Sequence, residues 1–568
     1  MAFASSDRNS SPSPWWGWFG TRSAALVAVW GLCLGFAAQR LHHAWTEFGN
    51  RATTPADRQR ADGNSGHTQI DFGGQWVMGR MIATGRGPEL YHRPAQWKVV
   101  REGFPPSAES PYVRRNADAP RHLREPEARD EDIRHDADWL MFSFMGEDKP
   151  RPDGRPPIGG PLYPPVHAVL YSPLGLIDQP QRAYYLFQLL TIALTFVTGL
   201  GVARLSRGRV WWPAATLVIL LYPGYRSGID LAQNHVLSLA ILVWGWVLAT
   251  RGRDGLGGVV WGLLALKPTW AAAFFLVPLV MGRWRFCLAM GLTGAALGAA
   301  TLPIVGLQAW FDWLEVGREA STLYTVNKNW IGLSRDLSGI PRRMLIDYTL
   351  PESQRSNWLA DATGWALWAA VFVPTIAIYL WRGDRRYRTG LGAGFLFLGA
   401  YLCCYRFMYY DVLLSVLPLA VLFADPRYFF RPTAFEVRPV GEPAADPLRS
   451  RWIGTVNSFP LTILAMLLLI ENWLLHLQVQ GSLGLGYFAT TASAASGGTA
   501  KHVPTVSAEV TLFQAWETVL LLLLWGWCLW RLVAGKDWGE PAQAAPRSAS
   551  SAAPMSGERI SDSPTSTA

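Results

Sequence analysis

The sequence predicts an all-α protein that crosses a membrane many times, and three observations support this fold class. Only 16% of the 568 residues are charged and 50% are hydrophobic, whereas soluble proteins carry about 25% charged residues. The charges are clustered, which leaves about nine segments close to the roughly 20 apolar residues that cross a bilayer. The 29 tryptophans are typical of interfacial belts. We therefore expect a polytopic bundle of about 10–13 transmembrane helices.

The first apolar segment, residues 23–39, follows Trp15, Trp16 and Trp18, which are placed as an interfacial belt would be. No clear small-residue cleavage site accompanies it, so we interpret it as an uncleaved signal anchor. Further spans are expected at residues 182–203, 210–223, 235–250, 285–306, 362–381, 389–404, 409–423, 457–477 and 511–533.

The formal net charge of +9 is interpreted as an orientation signal, because lysine and arginine concentrate on cytoplasmic loops. Basic clusters at 204–209, 251–253, 283–285 and 382–388 place those loops in the cytoplasm. The protein is therefore expected in the inner (plasma) membrane, with a cytoplasmic N-terminus. Membrane lipids are expected partners and nucleic acid is not. The five cysteines lack metal-ligand spacing, so no metal is expected.

Composition also divides the chain into segments. The long hydrophilic loop before the second span is expected outside the cytoplasm, and the Ala-, Ser- and Pro-rich ends are expected to be disordered. The predicted segments are a disordered cytoplasmic N-terminus (1–22), a transmembrane module (23–425) containing the first extracytoplasmic loop (41–160) with its charged insertion (101–157), a cytoplasmic loop (426–456), C-terminal transmembrane helices (457–535) and a disordered cytoplasmic tail (536–568).

Two apolar segments do not fit simple crossings if the basic clusters are cytoplasmic. Residues 161–178 are rich in proline, and residues 256–281 begin and end on the same side. The second segment is expected to enter the membrane, break near Lys267 and Pro268, and return, since proline interrupts helices. Such a break either lines a binding site or is only a kink.

Asp71 is the first candidate for chemistry. The residues after it, 76–82, carry Val77 and Met81 at helical spacing, which predicts an amphipathic helix along the membrane surface. Asp71 would stand at the start of that helix. It is either an ordinary N-cap or a general base whose pKa is raised by partial desolvation at the boundary between water and lipid.

Polar side chains near the predicted helix ends form a second set of candidates. They have the groups to hydrogen-bond a sugar or a phosphate, and they could equally tie helices together or form stiff turns. The candidates for binding sugar or acceptor are Tyr163, His167, Asp230, Gln233, Asn234, His235, Asn329, Tyr410 and Asp411.

Four cations are predicted on one face of the membrane. Lys267 lies in an otherwise apolar stretch, where an ionisable residue is costly unless it is paired or solvated. With Arg226, Arg335 and Arg406 it could hold a phosphate and stabilise the charge of a leaving group. Each cation could alternatively be an interfacial anchor.

The order of these motifs resembles glycosyltransferase family 87, the polyprenol-phosphate-mannose-dependent transferases of the GT-C membrane superfamily. The resemblance covers about residues 20–425. It is carried by Asp71-Phe72, Gly85, Leu90-Tyr91, Tyr163-Pro164-Pro165, Ser172-Pro173-Leu174, Gln233-Asn234, Gly257 to Lys267-Pro268, and Asn329 to Ser334.

The resemblance implies an inverting, metal-independent transfer of a hexose, with mannose expected, from a polyprenyl-phosphate-sugar donor to a lipid or glycan acceptor on the extracytoplasmic face. It implies that Asp71 is the base and that no cofactor is needed. Two features depart from the family's pattern, namely the 101–157 insertion and Ala232, which stands where the family has glycine.

Two other classes fit a polytopic protein, and both remain alternatives. A secondary transporter or lipid flippase typically contains internal repeats with polar sites at the bilayer midplane. No repeat is visible here, and the polar candidates gather on one face, which favours an enzyme. A non-catalytic scaffold of the same fold is the third reading, because fold does not imply function.

Overall fold

The computed structural model describes residues 21–49, 67–103, 154–206, 210–385, 387–424, 458–473, 510 and 512–534. Within these ranges every regular element is a helix, which confirms the all-α prediction. Most of the charged insertion, nearly all of the predicted N-terminus, and the whole of the predicted cytoplasmic loop and C-terminal tail lie outside the described residues.

The helices are numbered here in chain order. Three of the helices adjoin a 3-10 turn, and these turns lie at Leu263–Leu266, Tyr409–Ser415 and Leu512–Ala515. The helices are α1 Thr21–Gly49, α2 His67–Ala83, α3 Arg93–Gly103, α4 Pro165–Gly175, α5 Pro180–Leu205, α6 Trp212–Leu221, α7 Tyr225–Asp230, α8 His235–Thr250, α9 Asp254–Gly262, α10 Pro268–Val280, α11 Trp284–Val326, α12 Lys328–Leu333, α13 Gly339–Leu345, α14 Trp358–Arg382, α15 Leu391–Leu402, α16 Val416–Phe423, α17 Ser458–Trp473 and α18 Trp516–Ala534.

In the described part of the chain, five helices are long and apolar enough to cross a membrane. They are α1, α5, α11, α14 and α18. Seven shorter apolar helices or helix pairs accompany them, many of them shorter than the roughly 20 residues of a straight crossing. The chain is therefore a polytopic helical membrane protein, and the total of about 10–13 spans stays a prediction.

Aromatic side chains fill the middle of the bundle. The ring centroids of Trp246 and Phe397 lie 4.8 Å apart, and those of Trp261 and Phe286 lie 4.9 Å apart, both edge to face. Edge-to-face packing suits the quadrupole of aromatic rings. Four helices, α8, α9, α11 and α15, are joined by these contacts, and they support the region where the chain breaks at Lys267.

The pair α9–α10 reverses direction at Lys267. The 3-10 turn ends there, Lys267 leaves helical geometry (φ −137°, ψ 75°), and Pro268 starts the next helix. The ends of the two helices that are distant from Lys267 lie close together, since the Asp254 carboxylate is 3.8 Å from the Arg283 guanidinium. The break lies at the position that the sequence predicts.

Helix α4 packs closely on α2. A Cβ built on Gly175 would lie 2.2 Å from the carbonyl carbon of Gly79, so the two backbones can touch only because both residues lack a side chain. Trp76 Nε1 donates to the Ile177 carbonyl at 3.0 Å, which fixes the end of α4 on α2. With 11 residues, α4 is about 16 Å long, too short for a straight crossing.

The burial of α2 corrects one expectation. Residues 72–79 are buried on every side, and Met81 is buried as well. The helix is therefore an internal element, because a surface helix would leave one face open. The next helix, α3, is amphipathic: Ala95 and Val99 are buried while Lys98 and Glu102 are exposed.

Replacing Gly175 tests the close approach of α2 and α4. Gly175→Ala should destabilise the protein by about 1–3 kcal/mol, because the added methyl group forces the backbones apart. Thermal unfolding of the protein in nanodiscs measures this as a lower apparent Tm. Gly291→Ala is the matched control, since nothing lies within 4 Å of its Cβ. An equal change in both variants would contradict the packing argument.

Candidate functional site

Four parts of the chain converge on the Lys267 break. They are the segment from Tyr163 into α4, the turn 231–235 between α7 and α8, the break itself, and the 3-10 turn Tyr409–Ser415. Gly224, at the start of α7, lets the helix that leads into the turn 231–235 approach the 3-10 turn Tyr409–Ser415. With φ +82°, its Cα lies so close to the 3-10 turn that a Cβ would be 2.8 Å and 2.7 Å from the carbonyl oxygens of Tyr409 and Tyr410.

His167 stands in a column of three rings. Its imidazole is stacked between Tyr163, at 4.0 Å, and Tyr171, at 4.1 Å, with nearly parallel planes. The side chain is completely buried. Burial lowers the pKa of His167 well below its usual value, and the charge of Lys267 adds to this. The imidazole is therefore neutral at neutral pH.

The turn 231–235 brings its polar side chains to this column. Gln233 Oε1 accepts a hydrogen bond from the Tyr163 hydroxyl at 2.9 Å. Asn234 Nδ2 lies 3.4 Å from His167 Nδ1. His235 Nδ1 lies 3.0 Å from the Gln233 carbonyl oxygen, which turns its ring towards α7. The structure thus brings together five of the predicted sugar-binding side chains.

Several buried polar atoms of this cluster have no hydrogen-bond partner among the described residues. They are His167 Nε2, Gln233 Nε2, Asn234 Oδ1 and His235 Nε2. More than 90% of buried polar groups in folded proteins are paired, and each unpaired one costs about 1–3 kcal/mol. Three of these atoms, on His167, Gln233 and Asn234, are typical of a site that receives its partners from a ligand, whereas the His235 ring packs against Gly228 of α7.

Lys267 borders this cluster. Its Nζ lies 2.5 Å from Asp411 Oδ1 and 5.3 Å from the centre of the Tyr410 ring. The Lys267 and Asp411 side chains are only 13% and 6% exposed. An ammonium group has three donors, and Asp411 receives one of them. Asp411 therefore gives Lys267 a carboxylate partner inside an apolar segment, while donors remain for a ligand.

Arg226 and Asp230 interact with α1. Arg226 Nη2 lies 3.1 Å from His43 Nε2, and its Nε lies 3.8 Å from Asp230 Oδ2. Asp230 Oδ2 is also 3.5 Å from His43 Nε2. This group of side chains therefore joins the first helix to α7.

Arg335 does not reach a shared phosphate site. Its Nε donates to Glu517 Oε2 at 2.9 Å, and its Nη1 donates to the carbonyls of Gly332 and Ser334. Arg335 and Glu517 are 1% and 0% exposed. The reading of Arg335 as a donor-phosphate ligand is therefore corrected: it ties the segment before α13 to the last described helix.

Arg406 adopts a left-handed backbone conformation, φ +55°. Its Nη1 donates to the Ser321 carbonyl at 2.7 Å, and its guanidinium lies over the rings of Tyr324 and Tyr405. The four predicted cations therefore do not form one cluster. Three of them, Lys267, Arg335 and Arg406, meet different tyrosines of the segment 405–411 instead.

Residues 162–404 match the model of glycosyltransferase family 87. This match confirms the family resemblance for the segment that contains His167, Gln233, Asn234 and Lys267. A curated alpha-(1->3)-arabinofuranosyltransferase of Corynebacterium glutamicum is 31% identical over 207 residues, which is 35% of this chain and 45% of the relative. The matched region thus spans less than half of that relative. No solved structure matches. Both matches are to glycosyltransferases.

Asp71 and Tyr410–Asp411 lie outside the segment matched to family 87. Asp71 lies in α2 one helical turn before Gln75, whose Nε2 donates to the Ala232 carbonyl at 3.0 Å. The first turns of α2 therefore lie against the turn 231–235. The side chains of Asp71 and Asn329 lie outside the described part of the structure; Asn329 belongs to α12.

Two contributors to the site were not among the predicted site residues. Tyr171 completes the ring column, and Gln75 holds the turn 231–235 through the carbonyl of Ala232. The spacing of four residues from Tyr163 to His167 to Tyr171 is the helical signal that could have identified Tyr171. Gln75 could have been identified by the same spacing from Asp71.

The side chains available in the described ranges contain no group of three or more His, Cys, Asp and Glu residues that could hold a metal ion. Lys267 lies close enough to His167 for its charge to disfavour protonation of that imidazole.

Ala232 stands where family 87 is expected to have glycine, and the structure gives the reason for that preference. Its φ is +50°, a conformation that costs an L-residue about 1–2 kcal/mol. It is completely buried, so a larger side chain has no room. The alanine therefore adopts this left-handed conformation at some cost in stability.

Changes at position 232 test this strained turn. Ala232→Gly should leave the apparent Tm unchanged or raise it slightly, because relief of strain offsets the added chain entropy. Ala232→Val should destabilise by about 2 kcal/mol or more, since a β-branched residue is disfavoured at positive φ. Thermal unfolding in nanodiscs measures both. A valine variant as stable as the parent would exclude the left-handed conformation.

Proposed function

We propose that the protein is an integral-membrane glycosyltransferase that transfers a sugar from a polyprenyl-phosphate-sugar donor to a lipid or glycan acceptor. The observation that carries this proposal is the set of unpaired buried polar atoms on His167, Gln233 and Asn234 beside Lys267, within the segment that matches family 87.

Lys267 binds the donor phosphate. Its ammonium keeps one contact with Asp411 and offers the remaining donors to phosphate oxygens, which form strong charge-assisted hydrogen bonds. The cation also stabilises the phosphate as negative charge develops on it during departure. Tyr410, whose ring lies beside Nζ, restricts the lysine side chain.

The polar cluster binds the hydroxyl groups of the sugar. Because Asn234 Nδ2 is a donor, His167 Nδ1 accepts and His167 Nε2 carries the proton in the neutral ring. His167 Nε2 and Gln233 Nε2 are then free donors, and Asn234 Oδ1 is a free acceptor. Hydroxyl groups donate and accept, so sugar hydroxyls can supply the kind of partner that each of these atoms lacks.

Asp71 acts as the general base. It removes the proton from the acceptor hydroxyl, the acceptor oxygen forms a bond to the anomeric carbon, and the bond from that carbon to the phosphate oxygen breaks on the opposite face. The electron pair leaves with the lipid phosphate, and the anomeric configuration inverts. The position of Asp71 one turn before Gln75, and hence next to the turn 231–235, supports this role.

We place the site on the extracytoplasmic side of the inner membrane. Arg283 and Arg388 both pair with Asp254, at the end of the α9–α10 pair away from Lys267. Basic residues concentrate on the cytoplasmic side, so Lys267 faces the opposite direction. Mannose is the sugar proposed from the family resemblance, and arabinofuranose is the second candidate because of the relative's activity.

Asp71→Asn tests the base. Transfer from polyprenyl-phosphate mannose or polyprenyl-phosphate arabinofuranose should fall by about 100-fold or more, the usual contribution of a general base. Proteoliposomes with labelled donor and chromatography of the products measure it. Asp178→Asn is the matched control, because Asp178 is 81% exposed. Unchanged transfer by Asp71→Asn would remove Asp71 from the mechanism, and movement of intact donor across sealed vesicles would identify a transporter.

Lys267→Met tests the phosphate contact. The donor KM should rise by about tenfold or more, the loss expected for one charge-assisted hydrogen bond, and kcat should fall with it. The double variant Lys267→Met/Asp411→Asn removes both charges and so avoids an uncompensated buried carboxylate.

Lys98→Met is the control for Lys267, since Lys98 is an exposed lysine of α3. A folded double variant with an unchanged donor KM would assign Lys267 to structure alone.

A further inference from the structure

We propose that an open cavity beside Arg406 binds a sugar ring of the acceptor, as a subsite separate from the Lys267 cluster. This inference rests on the proposed function and names the acceptor as a glycan. The cavity has a volume of about 130 Å³ and lies between the first turns of α14, the segment before α13, and residues 404–406.

Polar groups on one side of the cavity are held in fixed positions. Arg342 Nη2 donates to Asp361 Oδ1 at 2.8 Å, and Arg342 Nη1 donates to Ser338 Oγ at 3.1 Å. Arg342 is 5% exposed, whereas Asp361 is 40% exposed at the rim. The buried arginine therefore orients a carboxylate that solvent or a ligand can reach.

Aromatic rings also line the cavity. The rings of Trp365 and Tyr405 are 6.1 Å apart and within 17° of parallel. They are exposed, Trp365 at 56% and Tyr405 at 45%. Trp368 Nε1 donates to the Cys403 carbonyl at 2.9 Å, which fixes α14 against the segment that carries Tyr405. Flat rings next to fixed polar groups are the lining that sugars use, with carbon–hydrogen faces on the rings and hydroxyls on the polar groups.

Arg406 adds an unsatisfied donor. Its Nε is buried and has no hydrogen-bond partner among the described residues. Its positive φ is a costly conformation that proteins retain mainly at functional sites. The strained backbone holds the guanidinium between two tyrosine rings at the wall of the cavity.

The charge balance favours a neutral ligand. The lining contains the cations Arg342 and Arg406 and the acids Asp336 and Asp361. A site for a phosphate or an anionic headgroup would carry an excess of cations. A polyhydroxylated ring without net charge can use both kinds of group.

The cavity is linked to the Lys267 cluster by one short segment. Cys404 lines the cavity, and its Sγ lies 3.7 Å from the carbonyl oxygen of Thr269, two residues after Lys267. The same segment continues from Tyr405, at the cavity, to Asp411, the partner of Lys267. A glycan of two or more rings could therefore occupy both places, with its reacting hydroxyl at the cluster.

Trp365→Ala tests the subsite, and Trp358→Ala is the matched control. Trp358 lies in the same helix, is 78% exposed and does not line the cavity. Both variants are prepared as full chains in phosphatidylcholine nanodiscs, which avoids detergents with sugar headgroups. The probes are the methyl glycosides of a mannose disaccharide and an arabinofuranose disaccharide. Binding is measured by saturation-transfer NMR without donor, and transfer is measured with donor.

Trp365→Ala should raise the Kd and the acceptor KM of at least one probe by about tenfold, and leave the donor KM unchanged. Trp358→Ala should change neither constant. Equal behaviour of the two variants would overturn the subsite, as would displacement of the probe by phosphatidylglycerol, which would assign the cavity to a lipid headgroup. Binding that depends on Trp365 without any transfer by the parent would instead overturn the proposed function and leave the subsite standing.

Discussion

The contact between Lys267 and Asp411 is the constraint on which the rest of the site depends. A charged lysine inside an apolar segment costs several kcal/mol unless it is paired, and here its partner comes from 144 residues further along the chain. To meet it, α9 must end in a 3-10 turn and α10 must restart at Pro268. The 3-10 turn at Tyr409 must then lie against the break, and Gly224 allows α7 to approach the same backbone.

The turn 231–235 follows from this arrangement. Once α7 is held against Tyr409 and Tyr410, the chain has only a few residues in which to enter α8, and Ala232 takes the left-handed conformation to do so. That turn directs Gln233 and Asn234 towards the column formed by Tyr163, His167 and Tyr171. Gln75 fixes the turn from the other side, so α2 and its Asp71 are tied to the same place.

The charges of the bundle are divided between two tasks. The buried pair of Arg335 and Glu517, and the contacts of Arg226 and Asp230 with His43, join helices that are distant in sequence. Breaking such buried pairs is costly because it leaves one charge uncompensated. Lys267 borders the unpaired polar atoms of the cluster, and Arg406 has a buried Nε without a partner among the described residues. Whether a charged side chain joins helices or borders a candidate site depends on its neighbours in the folded protein. Hydropathy predicts the spans but not those neighbours.

The sequence by itself predicted the membrane, the helical class, the break at Lys267 and the family resemblance of the middle of the chain, because hydropathy, proline and motif order are local properties of the chain. It also identified most of the side chains around the break, since polar groups in apolar segments stand out. Only the tertiary structure decided that Arg335 is enclosed with Glu517, that α2 is buried on every side, and that Tyr171 and Gln75 complete the site. These features depend on contacts between residues far apart in the chain, and on glycines such as Gly175, which allow a neighbouring backbone to approach closely.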